Sequence, residues 1–251
     1  MMILLLPGAD GTGVLFKPFI EVLQATINTE HFSKLSKPIS SVIINLNHDE
    51  MGNPLAQKLS EQATRIENEY EGQSVVVIAE YYSGLLAYEL LSRQQLDITH
   101  VVFVASFLKA PSKFVSIVAK LNPVWLKGAI RTTPSVIWGR VLFGRWQTRQ
   151  LRILFIKALK QTPNELLQQR LAIIANTTVA HKTLSMSCLY LQANQDNLVS
   201  AQNIEIFDEV FTDFSRIAMD GSHFLLQTNP EGVWEAIKSK IYFGTNDYYV
   251  K

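Results

Sequence analysis

Only one cysteine, Cys188, stands among the 251 residues, which excludes an internal disulfide framework and fits a reducing compartment. It lies in an apolar, strand-like run, where a thiol serves as a small core side chain. No uninterrupted apolar stretch approaches the ~20 residues needed to cross a bilayer. The opening residues carry no basic flank, and their apolar run is too short for a secretory signal. A soluble, cytoplasmic protein is therefore the expectation. Internal repeats and low-complexity tracts are absent as well. Charged residues make up 18% of the chain against 47% hydrophobic, a balance that excludes disorder and requires a large core. The net charge of +1 identifies no partner. One absence is local: residues 109–160 contain no aspartate or glutamate.

The length suits one α/β domain with a sizeable insertion. Short apolar runs at residues 3–6, 42–46, 75–79, 100–105 and 187–192 read as strands buried on both faces, as a parallel sheet requires. A sixth candidate covers residues 216–219. Amphipathic stretches alternate with these runs. Asn53-Pro54 and Asn229-Pro230 each pair a capping residue with a proline at the first helical position. The first predicts a helix with Leu55, Leu59, Ala63, Ile66 and Tyr70 on one stripe; the second, a helix burying Val233, Trp234, Ile237 and Ile241. Such alternation means a doubly wound parallel sheet. Some 80 residues between the fourth and fifth strands lack a convincing strand and read as several helices, punctuated by Pro111, Pro123, Pro134 and Pro163. A connection that long must form structure of its own. The expected division is a core of residues 1–107 and 185–251 with a helical lid at 108–184.

The third strand runs into Ala79-Glu80-Tyr81-Tyr82-Ser83-Gly84. Small residues flanking a sharp strand-to-helix turn are the form of a nucleophile elbow, which holds a serine in a strained conformation. Here Tyr81 takes the serine's place. With three further motifs in chain order, the sequence resembles the α/β-hydrolase family, specifically its small, lidded, esterase-like members. The glycine-rich residues 6–13 follow the first strand, Asp196 the fifth, and His223 the sixth, in Gly221-Ser222-His223-Phe224. The order nucleophile, acid, histidine belongs to this fold.

The resemblance implies ester or thioester hydrolysis as the ancestral chemistry, with no cofactor and no metal. His223 would be the general base and Asp196 would orient and stabilise its imidazolium. Backbone N–H groups of Ala9 and Tyr82 would form the oxyanion hole. Simpler readings exist beside these: residues 8–13 as an ordinary turn or a phosphate loop, although the G-x-G-x-x-G spacing is missing, and Asp196 as a turn or cap. Tyr81 is a poor replacement for serine, because a phenol is bulky and has a pKa of ~10. Ser83 is no substitute, since its register puts Tyr81 and Leu85 where small residues are needed. The expected protein has lost or weakened hydrolysis and keeps acyl-ligand or partner binding. The alternatives are an enzyme that uses His223 and Asp196 without a serine, or an inactivated variant of an active esterase.

Residues 109–160 carry eleven basic side chains, leaving 12 basic against all 22 acidic residues elsewhere, a remainder net negative by ten. Among them Lys113, Arg140, Arg145, Arg149 and Arg152 are candidate binding residues. Aromatic residues, including Trp138, Phe143, Trp146 and Phe155, interleave with them. A basic, aromatic surface suits an acidic carrier protein bearing an acyl chain, then an anionic membrane surface. Nucleic acid is not expected, since no recognised module accompanies the charge. The plainer alternative packs the aromatics on the core and pairs the cations with its acids.

Overall fold

A computed structural model describes residues 1–27, 39–111, 123–178 and 182–241, with the side chains of residues 125, 126 and 131 also outside the description. Six strands, β1 (Met2–Leu6), β2 (Ser40–Ile43), β3 (Ser74–Glu80), β4 (Asp97–Val104), β5 (Leu184–Gln195) and β6 (Phe211–Ser222), form one sheet in the order β2-β1-β3-β4-β5-β6. Every pairing is parallel. Because side chains alternate across a strand, the central strands supply two cores. Leu4, Leu6, Val75, Val77 and Ala79 face one, whereas Ile3, Leu5, Val76 and Ile78 face the other.

Helices cover both faces. Helices α2 (Leu59–Glu69), α3 (Ser83–Arg93) and α8 (Ala201–Val210) pack on the first, and α1 (Lys17–Ile27), the short α9 (Leu225–Thr228) and α10 (Pro230–Lys240) on the second. Between β4 and β5 the described chain passes through α4 (Pro123–Thr132), α5 (Ser135–Phe143), α6 (Arg149–Gln161) and α7 (Asn164–Asn176). A third, smaller cluster forms there around Trp138, Phe143 and Leu151.

All six expected strands are present, with one displaced. The run at 42–46 becomes a strand at 40–43, because the Asn45 side chain accepts the amides of Asn47 and His48 at 2.8 and 3.2 Å and turns the chain. As an edge strand it is half exposed rather than buried on both faces. The helix expected from Asn53-Pro54 starts only at Leu59. Asp49 captures Asn53 instead, accepting its amide at 2.8 Å and its side chain at 2.9 Å, so Asn53 is a loop tie and not a cap. Asn229 behaves as expected: its side chain accepts the Gly232 amide at 3.2 Å, and Val233, Trp234, Ile237 and Ile241 are buried.

Candidate active site

At the carboxyl edge of the sheet the loops after β1, β3, β5 and β6 converge. The β3–α3 turn is held by both ends of one residue. Tyr81 donates its amide to Val104 O at 3.1 Å and accepts from Ser106 Oγ at 2.7 Å and from the Gly84 amide at 3.2 Å. These bonds fix Tyr81 at φ 48°, a left-handed conformation costly for a bulky residue and typical of functional corners. Gly84 is required beside it, because a Cβ there would lie 1.8 Å from Ser106 Oγ. Ser83 is fully buried, with its hydroxyl donated to the Pro7 carbonyl.

Asp196 and His223 come together from the ends of β5 and β6. Nδ1 of His223 lies 3.0 and 2.9 Å from the two Asp196 carboxylate oxygens, and both side chains are 7% exposed. Asp196 also accepts the amides of Leu198 and Val199 at 2.8 and 2.9 Å. It is therefore a turn residue and the histidine's partner at once. Burial pushes its carboxyl upward, but the charge and hydrogen bond of His223 and the two amides hold it below the usual carboxylate range. With Nδ1–H given to the carboxylate, Nε2 is the nitrogen left to exchange protons.

The Tyr81 ring stands against this pair, its centroid 4.8 Å from the His223 ring at 89° and 5.0 Å from Phe107. Burial, with the negative charge of Asp196, drives the phenol pKa above its ordinary value, which disfavours a phenolate further. The glycine-rich loop closes the other side: a Cβ on Gly8 would lie 3.9 Å from Tyr81 Cβ. Among the described residues, the amides of Ala9 and Tyr82 donate no hydrogen bond.

Sequence reasoning missed the polar layer under this corner. Arg170 of α7 is fully buried and gives hydrogen bonds to Ala9 O at 3.0 Å, Leu46 O at 2.8 Å and Asn47 Oδ1 at 2.7 Å. It thereby ties the helical insertion to the loop carrying Ala9. Gly11, at φ 66°, leaves room for it; a Cβ there would meet Arg170 Nη1 at 2.2 Å. The signal was an arginine inside the apolar stripe Leu166, Leu167, Leu171 and Ile174. Glu80, one residue before Tyr81, is buried and accepts from Gln227 Nε2 at 3.0 Å. Burial pushes its carboxyl up to about 7, with the neighbouring Asp10 adding to the effect. Asp10 is raised by burial as well, against hydrogen bonds from Thr12. A carboxylate closing an otherwise apolar strand was the available signal.

The predicted binding residues scatter. Arg145 is ion-paired with Asp220 and stacked on Trp146 at 4.5 Å. Arg149 and Arg152 line a groove between α5 and α6, and Arg140 is exposed on α5. Lys113 lies outside the described residues. The aromatic cluster of the insertion reaches the site through Phe224, whose ring lies 5.0 Å from Phe143 and 5.8 Å from Phe155. Among the described residues, no group of three or more His, Cys, Asp or Glu side chains could hold a metal ion, and no helix is long and apolar enough to cross a membrane.

Comparison of the fold with solved structures defines its class: the chain has the α/β-hydrolase fold. An esterase from Exiguobacterium antarcticum superposes with a TM-score of 0.75 at 10% identity, covering 95% of this chain and 91% of the esterase. A hydrolase from Oleispira antarctica gives 0.72 at 11% identity, with coverage of 96% and 91%. The RedJ thioesterase of the prodiginine biosynthetic pathway in Streptomyces coelicolor gives 0.67 at 16% identity, with coverage of 96% and 90%. No protein-family model matches the chain, and no sequence among curated proteins does either.

Proposed function

We propose that this chain is a relative of carboxylic ester or thioester hydrolases in which Tyr81 occupies the nucleophile position, so that hydrolysis is lost or weak and binding of an acyl-type ligand remains. The observation that carries this reading is the buried Asp196–His223 pair faced by the Tyr81 ring at 4.8 Å, on a residue held at φ 48°. A serine at that backbone position would be an acyl-transfer nucleophile: His223 Nε2 takes its proton, Asp196 stabilises the imidazolium, and the Ala9 and Tyr82 amides receive the oxyanion. Tyrosine offers a bulky ring and a phenol that burial keeps protonated, so this sequence of steps stalls before the covalent bond forms. The structural likeness to an esterase and a thioesterase supports the substrate class. The intact Asp196–His223 pair favours one second reading, in which the imidazole activates water or another nucleophile on a bound ligand.

Turnover of short and medium acyl p-nitrophenyl esters by the wild type, Tyr81→Ser, Tyr81→Phe and His223→Ala separates the readings. The proposal expects activity to appear on restoring serine and to vanish again when His223→Ala is added. Wild-type turnover abolished by His223→Ala supports the second reading. Wild-type turnover abolished by Tyr81→Phe contradicts both by making the phenol the reacting group.

A further inference from the structure

The helical insertion shows to solvent what soluble domains usually hide. Helix α5 turns Trp138 and Phe143 inward, 8% and 0% exposed, and leaves Val136, Ile137 and Val141 at 54%, 57% and 66% exposure. Those three positions and Arg140 follow helical spacing and form one outward face. Across a groove of about 730 Å³ lies α6, where Ile153 both lines the cavity and is 59% exposed. Arg149, Arg152, Lys157 and Lys160 of α6 line the same groove. Arg152 donates to Gln147 Oε1 at 3.2 Å. Among the described residues, no carboxylate pairs with any of the four. Residues 109–160 themselves contain no acid, and Glu21, which shares a neighbouring cavity with Lys157, is paired with Lys17.

Four cations without a carboxylate partner among the described residues line one groove and call for an anion; the exposed Ile153 among them, with the outward aliphatic face of the neighbouring helix α5, calls for an apolar phase. An anionic bilayer offers both at the right depths: headgroup phosphates for the cations and the acyl boundary for the aliphatic side chains. A protein partner fits less well. Protein interfaces carry on the order of ten direct hydrogen bonds, whereas the α5 face presents Val136, Ile137 and Val141 with Arg140 as its one charged group. A symmetric pairing with a second copy would bring like charges together.

We propose that the α5–α6 face docks on anionic phospholipid membranes, with Val136, Ile137 and Val141 at the acyl boundary and Arg149, Arg152, Lys157 and Lys160 on headgroup phosphates. The ranking drawn from sequence, which put an acidic carrier protein first, is thereby reversed. Sequence could count the cations but could not show which aliphatic side chains remain uncovered. This docking is independent of the chemistry at Tyr81.

The test is co-sedimentation of the full chain with vesicles of phosphatidylcholine alone or mixed with phosphatidylglycerol, over a range of salt. Binding is expected to the mixed vesicles alone and to weaken steeply with salt. Arg149→Gln with Lys157→Gln should weaken it about thirtyfold, at about 1 kcal/mol per cation. Ile137→Ser with Val141→Ser should weaken it at unchanged charge, which a purely electrostatic association would not show. Circular dichroism and melting of each variant confirm an intact fold. Equal binding to both vesicle types, or absence of binding to either, overturns the proposal. So does a self-association or capture of an acidic carrier protein that these variants abolish while vesicle binding is unchanged.

Discussion

The sheet corner and the helical insertion treat charge in opposite ways. At the corner the buried charged side chains bond to groups of the chain itself: Asp196 faces His223, Glu80 accepts from Gln227, and Arg170 donates to two carbonyls and Asn47. In the insertion Arg145 finds Asp220, but Arg149, Lys157 and Lys160 line a groove with the exposed Ile153, without a carboxylate partner among the described residues. A buried ion requires internal compensation to be tolerated at all. A solvated cation does not, and it can be kept for an external partner. The corner's charged side chains are thus compensated within the chain, whereas the cations of the insertion are open to the membrane docking proposed above.

The sharpest break of this contrast comes from the corner's chemistry. In the Tyr81→Ser background, His223→Ala should lower kcat/KM for an activated ester by ~10³-fold or more, read by steady-state kinetics. A smaller loss would mean that the pair is structural. Arg170→Ala leaves the Ala9 carbonyl and Asn47 Oδ1 without the Arg170 donor and the Leu46 carbonyl with Gln57 Nε2 alone, and empties the volume of a fully buried side chain. The expected loss is ~3–5 kcal/mol in denaturant unfolding.

Glu80 gives a pH signature of intermediate size. Its folded value of about 7 lies above its ordinary 4.5, so the folded state holds the proton more tightly than the unfolded chain. The resulting stabilisation is full below pH 4.5 and is lost as pH rises through 7. Glu80→Gln can still accept from Gln227 and does not titrate. It should remove a decline of about 3 kcal/mol across that window, seen in melts of both proteins from pH 4.5 to pH 8. The smallest effect falls in the insertion. Thr148 caps α6 by accepting the Leu151 amide at 3.1 Å, so Thr148→Ala should cost about 1 kcal/mol locally. Hydrogen exchange in α6 should report it while the sheet is unaffected.

The same division governs what the sequence discloses. Strands β1, β3, β4 and β5 stand out because burial on both faces makes them continuous apolar runs, and Asn229-Pro230 marks α10 because a local side-chain contact makes its cap. Asn53-Pro54 carries the same local signal, yet Asp49 takes the asparagine, a competition visible only when the loop is folded. Asp196, His223 and Tyr81 are legible from their places after successive strands. Glu80 and Arg170 are visible as polar residues within apolar stripes, but their partners lie far off in the chain: Gln227 is 147 residues from Glu80, and Ala9 is 161 from Arg170. Spacing carries no information about such contacts. Whether an aliphatic residue such as Val141 is covered depends likewise on tertiary packing.

The proposed function requires a backbone corner able to activate a serine that is not there, and a fluorophosphonate probe read by intact-mass spectrometry and peptide mapping tests this directly. The wild type should stay unlabelled, Tyr81→Ser should gain one adduct at residue 81, and Tyr81→Ser with His223→Ala should lose it. An adduct on the wild type at Ser83 or Ser106, or an unlabelled Tyr81→Ser that is correctly folded, would contradict it.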